Sequence, residues 1–215
     1  AGRCLPASRI GGDFFQYFQQ NGTLSICIAD VTGHAMEAAV PVMMFSGVLE
    51  TEMQYGHPIE RLLTQLNHLL YHKLDRRTFV CFTIGEIDLS SRKVRLANGG
   101  CPYPFHYRAA TGQVTELFVE AYPLGARQET SYPVIEVQLA PGDRLVFCSD
   151  GLVEAQNGQE EMFGFEPLAE TIRQGCAEGL SAGDLINRLI GAVKNFAGTA
   201  PQGDDMTCVV LSVGK

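Results

Sequence analysis

Basic side chains are scarce in this chain. Sixteen Lys and Arg face 24 Asp and Glu across 215 residues, a formal net charge of −8. Nucleic acid and anionic membrane surfaces are gripped by dense Lys and Arg, so this balance argues against both as partners. Long apolar runs are missing too. The longest, residues 35–49, is interrupted by Glu37, Pro41, Ser46 and Gly47 and falls short of the roughly 20 residues that span a bilayer. It reads as a buried helix, not a membrane insertion. No CxxC pair occurs: Cys4, Cys27, Cys81, Cys101, Cys148, Cys176 and Cys208 stand singly, mostly in apolar runs, with no His at zinc spacing. That pattern describes reduced core residues of a cytoplasmic protein. There is no signal peptide, and the opening AGRC lacks an initiator Met, which implies a domain cut from a longer protein.

What is present is a large apolar inventory, 46% of the residues, enough to close a sizeable core in one domain. Residues 26–29 read as a strand ending at Asp30, after which Gly33 releases the backbone into a helix with His34 at its start. Ile59, Leu62, Leu63, Leu66, Leu69 and Leu70 recur at helical spacing, with Pro58 suited to the first turn. The centre is rich in strands, at 78–88, 93–97, 104–108, 114–118 and 132–139, separated by LSSR, AATGQ and APGD turns. Helices follow over 163–174 and 182–196, the second opened by a Ser181 and Asp184 capping box, and a strand over 206–213 ends the chain. Helices laid outside antiparallel hairpins make an α+β fold.

Four carboxylates stand in a recurring setting: Asp13 in IGGDFF, Asp30 in CIADVTGH, Asp150 in VFCSDGL and Asp204 in QGDDMT. Each joins an apolar run or glycine pair to a turn, as a strand end does when it presents an acid. Asp beside Gly or Thr is also ordinary turn and cap chemistry, so no one of the four carries an argument alone. Together they bring like charges to one rim, which is costly unless a cation neutralises them. Hard divalent cations take such oxygen ligands.

DVTGH at residues 30–34, followed by MEAA, then SDG at 149–151 and GDDMT at 203–207, resembles the metal-dependent protein phosphatases of the protein phosphatase 2C superfamily. With PASRIGGDFF at 6–15, the chain is similar to the bacterial branch typified by stage II sporulation protein E and the sigma-B regulator phosphatases. The resemblance implies a four-layer αββα sandwich, two antiparallel sheets flanked by helices, in a single phosphatase domain over 1–215. It implies two Mn2+ or Mg2+ ions, with Asp30 bridging both, the Val31 carbonyl joining one, and Asp13, Asp150 and Asp204 completing the shells. Asp205, adjacent to Asp204 and pointing the other way on extended backbone, fixes the loop or a water behind the ligands. His34 is either an acid–base group or a helix cap, and Arg9 either holds the substrate phosphate or is a solvated loop residue. The resemblance further implies a phosphorylated regulator of the anti-anti-sigma type as substrate, and an upstream sensor or receiver domain in the same chain. Two positions depart from the pattern: Cys101 stands where relatives often carry His, and Ala35 where Gly is common.

Two other readings compete. GGDFF resembles the GGDEF hairpin of diguanylate cyclases, but Phe14 replaces an acid and only 12 residues precede Asp13. A pseudo-phosphatase would keep the fold as a binding module without turnover, and the presence of all four acids argues for the active enzyme.

Overall fold

The computed structural model describes residues 1–9, 11–32 and 36–214, without the side chains of Met36 and Glu37. In chain order the strands are β1 (Gly2–Leu5), β2 (Asp13–Gln20), β3 (Thr23–Val31), β4 (Val80–Asp88), β5 (Lys93–Gly99), β6 (Phe105–Arg108), β7 (Gln113–Glu116), β8 (Ile135–Gln138), β9 (Arg144–Cys148) and β10 (Met206–Ser212). The helices are α1 (Met36–Gln54), α2 (Ile59–Lys73), α3 (Asp150–Val153), α4 (Phe165–Ala177) and α5 (Ala182–Ala197). Two compact units divide them. One holds Ala1–Ala7, Pro102–Phe118 and the chain from Leu139 onward; the other holds Ser8–Cys101 and Val119–Gln138.

The second unit is an antiparallel sheet in the order β2-β3-β4-β5-β8 with α1 and α2 on it. Alternation along its strands decides which side chains meet the helices. Cys27, Ala29 and Val31 of β3 and Val80, Phe82 and Ile84 of β4 enter a core with Phe45, Leu49, Ile59, Leu62, Leu63, Leu66 and Leu70. Phe45 links the layers, its ring 5.8 Å from Phe14 and 5.3 Å edge-on from Phe82. Asn67 interrupts the apolar stripe of α2 and is buried. Its amide donates to the carbonyls of Arg127 (3.0 Å) and Gln128 (3.2 Å) and its oxygen accepts from Gly125 N–H (2.9 Å), so it ties the loop after β7 to the helix.

The run at 35–49 is not a buried helix. Ala38, Phe45, Leu49 and Met53 are covered, but Val40 and Met43 are 73% and 77% exposed. A helix lying on one sheet has only one stripe covered, and these two residues fall on the other side.

The first unit is an antiparallel sheet in the order β1-β10-β9-β6-β7 with α4 and α5. Val146, Cys148, Met206, Cys208 and Val210 pack with Leu168, Ile172, Leu185, Ile186, Leu189, Ile190 and Val193. The expected cap is present: Ser181 Oγ accepts from Asp184 N–H at 3.1 Å and donates to its carboxylate at 2.6 Å. Element ends differ from expectation where local chemistry intervenes. β8 begins only at Ile135 because Pro133 has no N–H for the ladder. α4 begins at Phe165 because Gly164, at φ 83°, turns the chain first. β1, not anticipated from sequence, pairs with β10. No helix among the described residues is long and apolar enough to cross a membrane.

The APGD turn is more than a turn. Asp143 is buried, and its carboxylate accepts from Ala109 N–H (2.9 Å) and Ala140 N–H (3.0 Å) while lying 2.9 Å from His106 Nε2. Burial pushes this carboxyl up, but the two N–H groups and His106 outweigh it and hold it below the ordinary value. A depressed carboxyl stabilises the fold above its unfolded value, near 3.9, and loses that contribution as pH falls through the folded value. Asp143→Asn is therefore expected to cost about 1–3 kcal/mol at pH 7 in urea unfolding, since an amide has one accepting oxygen where the carboxylate uses two and its NH2 can only donate. The gap from wild type should narrow below about pH 4; a gap independent of pH would contradict this account.

Candidate metal centre

In the second unit the register sets Asp13 directly opposite Asp30, and β4 sets Cys81 opposite Asp30 in turn. Directly opposed residues share a face of the sheet. Phe14, Ala29, Val31 and Phe82 point to the helices, so Asp13 and Asp30 lie on the other face. Their backbone is drawn tight by Gly12, whose carbonyl accepts from Val31 N–H at 3.2 Å. A Cβ on Gly12 would come 2.5 Å from the Val31 carbonyl oxygen, which no side chain tolerates. Gly12 of IGGDFF thus has a structural cause: it lets β2 begin against the end of β3, where Asp13 and Asp30 stand opposite one another.

The first unit builds its acidic pair from two other segments. Ser149, between β9 and α3, donates from its backbone to Thr207 O (2.9 Å) and from its hydroxyl to Asp205 O (3.1 Å), and the same hydroxyl accepts from Thr207 N–H (3.0 Å). These bonds clamp the start of α3, where Asp150 stands, to the lead-in of β10. Gly151 permits the approach, since a Cβ there would lie 2.0 Å from Asp205 O. Asp204 is exposed, whereas Asp205 is buried and accepts from Ala7 N–H at 2.7 Å. Adjacent residues on extended chain diverge, and only Asp204 opens with Asp150 onto a cavity of about 570 Å3. Burial, then the charge of Asp204, then that of Glu154, push the Asp150 carboxyl up. No ion pair among the described residues includes Asp150 or Asp204.

The donors in both pairs are carboxylate oxygens, the chemistry that Mg2+ and Mn2+ take. Beside the first pair, burial above all, then the charges of Cys81, Asp30 and Asp13, hold the Cys101 thiol well above its ordinary value. Cys101 is buried in a turn bracketed by Asn98, whose side chain donates to Cys101 O at 2.9 Å and accepts from its N–H at 3.1 Å. Among the described residues no three His, Cys, Asp or Glu side chains form one ready-made metal cluster; the acids stand as pairs. Arg9 is exposed in the bend that precedes β2. His34 lies outside the described residues, as do Gly33 and Ala35. The amino-acid order shows the glycine pair of IGGDFF and the SDG motif at 149–151, but not the close approaches that Gly12 and Gly151 permit or the three hydrogen bonds of Ser149.

The family model of stage II sporulation protein E matches residues 20–214. The chain belongs to the stage II sporulation protein E family. It is similar to phosphoserine phosphatase RsbU of Bacillus subtilis (strain 168), 24% identical over 209 residues that make up 96% of this chain and 61% of RsbU. The chain thus spans about three-fifths of that relative's length. Among solved structures, the SiaA-PP2C domain of Pseudomonas aeruginosa is 22% identical with a TM-score of 0.86, covering 98% of this chain and 85% of that one. RsbX, solved in complex with magnesium, is 16% identical with a TM-score of 0.73 over 99% of this chain and 94% of that one. The expected α+β fold of two antiparallel sheets with helices is the fold that the chain shares with these solved structures.

Gly151→Ala should destabilise the protein by about 1–3 kcal/mol through the forced separation of α3 from the β10 lead-in. Gly158→Ala, where nothing lies within 4 Å of the added carbon, should stay within about 0.5 kcal/mol in the same urea titration. Equal costs would remove the close approach as the reason for glycine at 151.

Proposed function

We propose that this chain is a metal-dependent serine/threonine protein phosphatase that hydrolyses phosphoserine or phosphothreonine on a bacterial regulatory protein of the anti-anti-sigma type, in the cytoplasm. The observation that carries this is the double occurrence of a tight acidic pair, Asp13 with Asp30 and Asp150 with Asp204, in a chain of the stage II sporulation protein E family. RsbU, by its name, is a phosphoserine phosphatase, which supports the same substrate class here.

Phosphate monoesters are among the slowest substrates known, and enzymes accelerate their hydrolysis by up to about 10²¹-fold. One acid–base group supplies roughly 10² to 10⁴ of that, so most must come from charge neutralisation and a strong nucleophile. Two divalent cations, Mn2+ or Mg2+, supply both when bound, by neutralising phosphoryl oxygens and acidifying water. The residues that would hold them are Asp13, Asp30 with the Val31 carbonyl, Asp150 and Asp204.

The chain's own groups do the rest. Asp205, anchored on Ala7 N–H, holds the backbone that presents Asp204. Gly12 and Gly151 keep the carboxylate-bearing segments close. Arg9 pairs with the substrate phosphate, for which a planar guanidinium is suited. His34 gives a proton to the departing Ser or Thr oxygen. The deeply buried thiols make poor nucleophiles: burial above all holds Cys148 well above the ordinary value, and it pushes Cys27 and Cys208 up to about 12.

Hydrolysis of p-nitrophenyl phosphate and of a phosphoserine protein is expected only with Mn2+ or Mg2+, and no phosphoenzyme should accumulate. Full activity in excess EDTA would sink the proposal, and a chain that binds such substrates without turnover would be the binding module instead. Asp30→Asn and Asp150→Asn should each lower turnover by several orders of magnitude, whereas His34→Ala should cost no more than about 10² to 10⁴. Asp205→Asn should be milder than Asp204→Asn, and the reverse order would reassign the ligand.

A further inference from the structure

The cavity onto which Asp150 and Asp204 open is far larger than a phosphoryl group needs. At about 570 Å3 it is in the range of ligand-sized clefts, roughly 300–1,000 Å3. Beyond the two acids, Glu154, Gln156, Asn157, Ala200 and Gly203 are among the residues that line it. Its walls are braced. Asn157 Oδ1 accepts from the N–H groups of Gln159 (2.9 Å) and Glu161 (3.1 Å), and Gln202 Nε2 donates to Leu5 O and Asp204 O, both at 2.8 Å. These side chains are committed to holding loops, which leaves them little to offer a ligand.

Glu154 is different. It follows Asp150 by one helical turn, with its N–H on Asp150 O at 2.8 Å, so its side chain rises from the same side of the helix end. It is exposed and enters no ion pair among the described residues. Every titratable side chain that lines the cavity is acidic, and once Asp150 and Asp204 are given to the cations, Glu154 is the charge left over. Ala155, Ala197, Ala200 and Gly203 also line it, and their small side chains leave room for an extended backbone.

We infer that this cavity receives the stretch of polypeptide flanking the phosphorylated residue, and that Glu154 selects a Lys or Arg there over an Asp or Glu. The inference rests on the phosphatase reading of the neighbouring acids and adds to it a sequence preference in the substrate. A phosphorylated side chain reaching the acids carries its own chain along the cavity. A basic neighbour then meets Glu154, and an acidic neighbour meets a like charge, so the discrimination is both attractive and repulsive. The pair is solvent-exposed, so the expected preference is modest, roughly two- to fivefold, and it should shrink as salt rises.

The test uses the whole chain with Mn2+ and two phosphoserine peptides that differ only in carrying Lys or Glu beside the phosphoserine, together with their unphosphorylated forms. Hydrolysis gives kcat/KM, and fluorescence anisotropy gives binding for all four. The wild type should favour the Lys peptides in both readouts at low salt. Glu154→Lys should invert the order, while Glu166→Lys, the same charge change away from the cavity, should keep it. A preference unchanged in Glu154→Lys, or shifted equally by Glu166→Lys, overturns the inference. Turnover of both phosphopeptides without any preference removes the cavity assignment and leaves the phosphatase. A binding preference that depends on Glu154 without turnover does the opposite.

Discussion

Two carboxylates on directly opposed strand residues repel each other, and the structure around Asp13 and Asp30 is organised to hold them together regardless. At about 5 Å, with an effective dielectric near 20, two full charges oppose one another by something like 3 kcal/mol. The ladder of β2 with β3 resists this through its register, and Gly12 adds a contact with Val31 too close for any side chain. The sheet that carries the pair is anchored by a dense core on its other face, which resists the repulsion. It is also what a divalent cation relieves.

The first unit reaches the same end by different means. There the acids come from a helix start and a strand lead-in, just beyond the β9–β10 ladder that pairs Cys148 with Cys208. Ser149 extends that ladder with three hydrogen bonds, and Gly151 lets the two backbones touch. In both units a glycine beside the acid sets how closely two chains can approach, and a bonded neighbour sets the direction. Asp204 and Asp205 illustrate the second point: the carboxylate of Asp205 is spent on Ala7 N–H, so it is Asp204 that is open to a ligand.

Strand alternation separates structure from chemistry. On β3 and β4 the residues that meet α1 and α2 are apolar and buried, and the intervening positions carry Asp30 and Cys81. The same division on β6 puts Phe105 and Tyr107 against the helices and His106 on the other side, where Asp143 receives it. Core substitutions in either unit would therefore act on the acids only through strand position, and substitutions of the acids leave the helix-facing cores intact.

Periodicity and turn chemistry were legible in the amino-acid order because they are local. Although β2, which Asp13 opens, was not expected, the apolar stripe of α2, the Ser181 cap of α5, the strand that carries Asp30 and the strand after Asp204 all follow from residues within a few positions of one another. So did the family, through short motifs whose order along the chain is itself a signal. What the order of residues could not decide is which distant groups meet. The stripe at 35–49 looked buried all round because hydropathy does not say how many sides of a helix are covered, and Val40 and Met43 are left in solvent. Asn67 and Asp143 looked like ordinary helix and turn residues because their partners lie 58 to 61 and 34 to 37 positions away, apart from Ala140 beside Asp143. The choice between Asp204 and Asp205 was posed by adjacent residues on opposite faces, but the bond that occupies Asp205 comes from Ala7, 198 positions earlier. Local order sets the elements and the chemistry they carry; long-range contact decides which of those groups are spent on the fold and which are left free to act.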